Sequence, residues 1–334
     1  MINSKTLGHP IMNLMIGLIT VILPLNSIQA RILEPISGRS LDPDSILPAD
    51  VLARIHLLSD ELELIRLELG KPKTQSLSAK VVDASPREVY FQARTLFIKS
   101  NRLLYEQTGN RETVLSAINI NIIQPFHVWK LVNKSYEQIL EVKMKLNINE
   151  KISEREYPYN SSPSDVFSQV IISNRKLNNL LKQQFSPGDV YQKINESIRV
   201  MAALLAATPS LKRTPLAGPF ERRKTPNDVY TYLIKTRTIL TDIMSHYGIK
   251  LARFQSDDSG TNEKDPNDVY DLASLLVADL RYMHSLKSTA KRPANTYLSG
   301  NKTPSDVYQR VSVLNQQLLT LQQLHETNPN WLNK

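Results

Sequence analysis

Apolar residues recur along most of this chain at alternating intervals of four and three residues. Counted from each of eight regularly spaced prolines, offsets 3, 7, 14 and 17 are apolar except at Ser100, and offset 3 is always valine. This spacing is the seam of helices packed at a shallow angle, whereas a half-buried strand has an apolar residue at every second position. The pattern predicts an all-α protein built from eight long amphipathic helices.

Each predicted helix begins at a short motif of the type Thr225-Pro-Asn-Asp-Val-Tyr230. Successive motif prolines are 38, 39, 38, 24, 39, 40 and 38 residues apart, so the one short interval divides the chain into two sets of four. We infer single-helix repeats of about 38–40 residues, each with a long loop, in two pseudo-repeated four-helix halves. The motif prolines are Pro48, Pro86, Pro125, Pro163, Pro187, Pro226, Pro266 and Pro304.

The motif has the composition of a helix start. Proline suits the first helical position, Ser, Thr or Asp suits the N-cap, and an acid at the third helical position completes a capping box. An alternative hypothesis is that the repeated acid and aromatic residues form ligand sites. The predicted capping residues are Ser85, Glu88, Ser162, Asp165, Ser186, Asp189, Thr225, Asp228, Asp265, Asp268, Thr303 and Asp306.

The loops between the predicted helices are long enough to run back along a whole helix. They span about 14–18 residues, and a loop of about 16 residues can reach about 50 Å. We therefore expect parallel helices within each half, with an up-down bundle as the alternative. The short interval leaves no return loop, which predicts an antiparallel hairpin between the fourth and fifth helices.

The N-terminal residues have the order of a secretory signal. Lys5 precedes an apolar run from Ile11 to Leu25, and Ala30 is a suitable cleavage position. The predicted divisions are a signal peptide (1–30), an extended segment (31–47) and four-helix halves at 48–185 and 186–334. A chain with this signal and no cysteine is expected in the bacterial periplasm or secreted, or held by an uncleaved N-terminal anchor.

Motifs for known chemistry are absent from the sequence. Without cysteine there is no disulfide or thiolate site, and the ten glycines include no phosphate-binding loop. We therefore expect no cofactor, no metal and no enzymatic activity, with an enzyme of unfamiliar type as a lesser hypothesis. His246, His284 and His325 lie near predicted helix ends, but their helical angles differ, so they are not expected to converge.

Charge gives the remaining indication of function. The chain has 41 Lys and Arg against 32 Asp and Glu, and cations gather in the predicted loops, including Lys287. Such loops could attract an anionic partner, although a simply solvated surface is the alternative. Few aromatic residues interleave with them, so no specific nucleic-acid signal is present. The candidate surface consists of Lys212, Arg213, Arg222, Arg223, Lys224, Lys291 and Arg292.

Two functional hypotheses follow. The first is an exported, non-enzymatic scaffold that binds another protein or an anionic envelope polymer. The second is a periplasmic small-ligand or sensory bundle, because offset 10 of the seam carries hydroxyls that a ligand could satisfy. A carbonyl one turn back could also satisfy them. The offset-10 residues are Leu58, Leu96, Ser135, Ser173, Ser197, Thr236, Leu276 and Leu314.

Overall fold

The computed structural model describes residues 43–73, 80–113, 122–182 without 154, 156 and 159, 185–255, 264–287 and 300–332, together with 290 and 293. These residues form eight α-helices, one 3-10 turn and a two-stranded sheet, so the predicted all-α class is confirmed. The predicted signal peptide and most of the 31–47 segment lie outside them. The described end of that segment contains the 3-10 turn Pro43–Ser45 and the buried side chain of Ile46.

Every helix begins at a motif proline, and none in the described ranges is both long and apolar enough to span a membrane. Strands β1 (Lys80–Val82) and β2 (Arg253–Gln255) pair antiparallel, with Val81 opposite Phe254. The helices are α1 (Pro48–Glu68), α2 (Pro86–Thr108), α3 (Pro125–Lys145), α4 (Pro163–Leu180), α5 (Pro187–Leu205), α6 (Pro226–His246), α7 (Pro266–Leu286) and α8 (Pro304–Thr327).

The motif acids turn back onto the N-cap residue that precedes their own helix. At α4, the Ser162 N–H donates to Asp165 Oδ2 at 2.7 Å, and the Asp165 N–H donates to Ser162 Oγ at 3.3 Å. These bonds satisfy two of the N–H groups that a helix start leaves unpaired. The same reciprocal pair forms at Ser186 and Asp189, Thr225 and Asp228, Asp265 and Asp268, and Thr303 and Asp306.

Two motifs use different side chains for this purpose. At α2 the acid is a glutamate: the Ser85 N–H and the Ser85 Oγ both donate to Glu88 Oε2 at 2.9 Å, and the predicted capping box is present. His127 stands where the other motifs have an acid, and its Nδ1 accepts from the Gln124 N–H at 3.1 Å. An imidazole nitrogen therefore replaces the carboxylate oxygen at the start of α3.

The four helices of each half start at the same end. The motif prolines and valines of α1–α4 line one shallow depression, and those of α5–α8 line another. Residues at similar distances from their helix starts also contact each other farther along the helices. For example, Ser100 Oγ on α2 donates to Gln138 Oε1 on α3 at 2.5 Å. The helices within each half therefore run parallel.

Both halves have the same square arrangement of helices. Helices α1 and α2 each pack against α3 and α4, and helices α5 and α6 each pack against α7 and α8. The first two helices of each half thus lie on one diagonal of the square, and the last two lie on the other. Separate clusters of buried apolar residues fill the two squares.

The described loops run back along a helix, as their length predicts. The two described ends of the α1–α2 loop lie against opposite ends of α4, where Asn179 donates to the Pro72 carbonyl and Ser164 Oγ accepts from the Ala84 N–H at 3.1 Å. The α5–α6 loop follows α8 in the same way, and Ser305 Oγ accepts from the Lys224 N–H at 3.1 Å. Each serine directly follows a motif proline, so it fixes the end of a return loop.

The hairpin predicted between the fourth and fifth helices is not formed. The chain reverses direction after α4, but among the described residues α4 and α5 do not pack side by side. The halves meet instead through α2 and α7, where the Arg87 guanidinium at the start of α2 lies 3.5 Å from the Tyr282 ring centroid near the end of α7. The seam residues of each half pack inside its own square. Other faces of α2 and α7 therefore form the contact between the halves.

Candidate functional site: the basic loop along α8

The predicted anionic-partner surface lies mainly on the α5–α6 loop. Lys212, Arg213, Arg222 and Arg223 are all exposed there. Lys291 and Arg292, which belong to the same predicted surface, lie outside the described residues. Lys212 and Arg213 lie near the beginning of this loop, and Arg222 and Arg223 lie near its end.

Hydrogen bonds hold this loop against α8. Gln317 Nε2 donates to the Arg213 carbonyl at 2.7 Å, and Gln309 Nε2 donates to the Gly218 carbonyl at 2.9 Å. The Gly218 N–H in turn donates to Ser312 Oγ at 3.0 Å. A Cβ on Gly218 would lie 3.0 Å from that Ser312 oxygen, so the close approach favours glycine.

Two apolar side chains project between the cations. Leu216 is 79% exposed and Phe220 is 49% exposed. Exposed apolar groups on a loop that is hydrogen-bonded to its scaffold are typical of a contact surface. We refer to Lys212, Arg213, Leu216, Phe220, Arg222 and Arg223 as the basic-apolar surface.

Two predicted loop cations do not belong to this surface. Lys224 is ion-paired with Glu221 at 2.7 Å and lies over the Tyr308 ring. The Glu221 carboxylate therefore neutralises its charge. Lys287 is buried, and its Nζ donates to the Trp331 carbonyl at 2.6 Å. The prediction that Lys287 is a solvated loop cation is therefore wrong, because the chain after α8 covers it.

A ring of contacts closes the N-terminal end of the second half. The residue before each N-cap lies on the motif aromatic ring of a neighbouring helix, at distances typical of stacking or cation–π contact. Lysine before three of these motifs is the sequence signal for the ring. The contacts pair Phe185 with Tyr270 at 3.8 Å, Lys224 with Tyr308 at 4.2 Å, Lys264 with Tyr230 at 5.3 Å and Lys302 with Tyr191 at 5.0 Å.

The seam hydroxyls find partners mostly within their own helices. Ser135, Ser197 and Thr236 each donate to the carbonyl four residues earlier, at 2.9–3.2 Å. Ser173 Oγ has no hydrogen-bond partner among the described residues. The depressions at the motif ends measure only about 10 and 20 Å³, which is room for about one water molecule each. These features do not require a ligand in the seam.

A buried ionic cluster joins the two halves. Arg237 on α6 donates through Nε to Asp279 Oδ2 on α7 at 2.9 Å and through Nη1 to the Ala252 carbonyl at 2.5 Å. Glu88 of α2 accepts from the Ala252 N–H at 2.5 Å and lies 3.6 Å from Arg237 Nη2. Burial raises the pKa of Asp279, and the Arg237 guanidinium opposes this shift.

A second ion pair crosses the same interface. Lys99 Nζ on α2 lies 2.8 Å from Asp271 Oδ2 on α7, and Lys99 is fully buried. Asp271 Oδ1 has no hydrogen-bond partner in the described structure. Burial raises the pKa of Asp271 to about 6, although Lys99 acts in the opposite direction. This carboxyl therefore binds a proton more tightly in the folded chain than in the unfolded chain.

Acidification from pH 7.5 to pH 5 is expected to stabilise the protein through Asp271. A folded-state pKa above the unfolded value means that stability increases as the pH falls through about 6 toward about 4. A folded-state pKa of about 6, against an ordinary value of 3.8, corresponds to about 1 kcal/mol of added stability between pH 7.5 and pH 5. Urea denaturation across this range should show a smaller increase for Asp271→Asn than for the original chain. Parallel profiles would contradict the assignment.

Two of the three histidines near helix ends lie together, so the prediction that they do not converge is wrong for this pair. The ring centroids of His246 on α6 and His325 on α8 are 4.9 Å apart. Helices α6 and α8 are neighbours in the square. Residues beside the seam of one helix can therefore contact residues of the other, even though their side chains do not point toward the bundle axis. His284 lies on α7, on the same diagonal as α8.

A groove of about 320 Å³ opens beside α6 and β2, and Arg237, Asp242, Arg253 and Phe254 are among its lining residues. Its guanidinium groups are already ion-paired, Arg237 with Asp279 at 2.9 Å and Arg253 with Asp83 at 2.5 Å. These carboxylates neutralise the charge that would attract an anionic ligand. The groove is therefore a weaker candidate than the basic-apolar surface.

Comparisons with protein-family models, curated proteins and solved structures found no match for this chain. Within the described residues, no group of three or more His, Cys, Asp or Glu side chains is arranged to hold a metal ion.

Proposed function

We propose that this protein is an exported, non-enzymatic helical scaffold that binds another protein through the basic-apolar surface. The observation that carries the proposal is the exposure of Leu216 and Phe220 between four exposed cations on a loop fixed to α8. Export is an expectation from the N-terminal sequence pattern.

The mixture of charge and apolar area favours a protein partner over a polyanion. A glycan or other polyanion can neutralise Lys212, Arg213, Arg222 and Arg223, but it offers little apolar area to Leu216 and Phe220. An acidic protein surface with an apolar centre complements both kinds of side chain. A loop that is already ordered also loses less conformational entropy on binding.

Photo-cross-linking in extracts of the native host tests this proposal. A photoreactive amino acid at Leu216 is expected to capture a discrete protein, and the same amino acid at Met144, exposed on α3, is the matched control. Reversal of the four surface cations to glutamate should lower the yield by about tenfold or more, and added salt should lower it further.

A second variant controls for net charge. Lys130, Lys145, Lys151 and Lys235 are exposed outside the surface, and reversing them changes the net charge by the same amount. Equal loss in both variants, equal capture from Met144, or capture only by anionic vesicles or by a free polyanion would contradict a protein-binding surface.

A further inference from the structure

The structure assigns a transition-metal site to the paired imidazoles of His246 and His325, independent of the proposed partner surface. The two side chains come from the C-terminal ends of neighbouring parallel helices, and their ring centroids are 4.9 Å apart. The ligand would be a divalent ion of the zinc or copper class, which imidazole nitrogen binds readily.

The spacing of the rings matches shared coordination. Zinc held about 2.0–2.1 Å from one nitrogen of each ring, at a near-tetrahedral angle, places the two ring centroids about 5 Å apart. Two protein ligands leave the remaining positions to water. The proposed site therefore has two histidine ligands, fewer than the three or four side chains that usually hold a zinc ion.

The hydrogen bonds of both rings leave one nitrogen available to a metal. His246 Nδ1 lies 2.7 Å from the Asp242 carbonyl, which can only accept, so Nδ1 carries a proton, and in the neutral ring Nε2 then has a free lone pair. Metal-bound histidines commonly donate to a carbonyl in this way, which orients the ring.

The second ring has a comparable support. His325 Nδ1 lies 2.9 Å from the Tyr247 oxygen, and the Leu332 backbone also hydrogen-bonds to Tyr247. A phenol oxygen can accept two hydrogen bonds, so the tautomer that donates from Nδ1 leaves Nε2 of His325 free. The C-terminal ends of α6 and α8 add partial negative charge, which favours a cation between the two rings.

Isothermal titration of the tag-free full chain with zinc chloride tests the assignment. We expect one zinc equivalent to bind, and His246→Ala or His325→Ala to weaken its affinity by more than about tenfold. His284→Ala is the matched control because this side chain lies on α7, and it should leave the affinity unchanged. Tyr247→Phe should weaken the affinity less than loss of either histidine.

A stability measurement gives a second readout. Zinc bound to the folded chain should raise the thermal unfolding temperature in the original protein and in His284→Ala, but not in either histidine variant. The assignment is overturned if zinc binds equally well after loss of His246 or His325, or if the original chain shows no binding below about 1 mM. Neither readout depends on the partner surface, so failure here leaves the proposed function to its own test.

Discussion

Arg237→Met is expected to destabilise the folded chain by about 3–5 kcal/mol, because it leaves two carboxylates buried without their cation. Asp279 is completely buried, and Glu88 is completely buried across the boundary between the halves. Methionine retains part of the volume of the arginine stem, so most of the expected loss is electrostatic. Urea denaturation at pH 7.5 measures the effect.

The pH dependence of the variant separates this cause from lost packing. Without Arg237, the pKa of Asp279 should rise further, so the loss should shrink as the pH falls and the carboxyl becomes neutral. Arg253→Met is the matched control, since its exposed guanidinium pairs with Asp83 at the surface and should contribute less than about 1 kcal/mol. A loss at Arg237 no larger than at Arg253 would contradict the role of the buried cluster.

The sequence was sufficient to predict the helices because the relevant information is local. Each helix begins at the proline that the motif provides, and the offset-3 valines are buried in every copy. Capping and seam spacing depend on residues within a few turns of one another, so they can be interpreted from the chain alone. Parallel return loops followed from loop length for the same reason.

The contact between the halves could not be predicted because it uses residues outside the repeated pattern. Arg237 and Asp279 lie beside the seam, where charged side chains usually face solvent. One signal was present: Glu88 replaces the aspartate of the other acidic motifs. Its longer side chain caps Ser85 through Oε2 and reaches the Ala252 N–H through Oε1.

The exposure of a loop cation could be predicted from the sequence except where a distant segment of the chain covers the side chain. Lys212 and Arg213 are exposed, whereas Lys287 lies beneath Trp331, which follows α8. The approach of His246 to His325 depends on which helices are neighbours in the square. Single-helix angles contain no information about that order.

The square order also explains the mixed residues at offset 10 of the seam. In the first half, Leu58 and Leu96 lie on one diagonal, while Ser135 and Ser173 lie on the other. The second half alternates in the same way, with Ser197 and Thr236 across one diagonal and Leu276 and Leu314 across the other. All eight side chains are completely buried. Large and small side chains therefore interdigitate within one layer.

Exchanging the two diagonals of the first half is expected to preserve the fold. The exchanged chain keeps the volume of the layer but carries the leucines on the other diagonal. Its four substitutions are Leu58→Ser, Leu96→Ser, Ser135→Leu and Ser173→Leu. Summed as independent changes, two leucine losses at about 2–5 kcal/mol each and two overpacked serines at about 1–3 kcal/mol each exceed the stability of many domains. We expect the exchanged chain to remain within about 2 kcal/mol of the original because volume-conserving repacking is tolerated.

A matched control has the same kinds of substitution but places them in different halves. Leu58→Ser and Leu96→Ser with Ser197→Leu and Thr236→Leu give one half four small residues and the other half four leucines. Cavity and overpacking costs then add, because each core is filled separately. Urea denaturation should show near-original stability for the exchange within one half and severe loss for the exchange between halves. Equal losses would mean that the diagonal alternation does not determine how this layer packs.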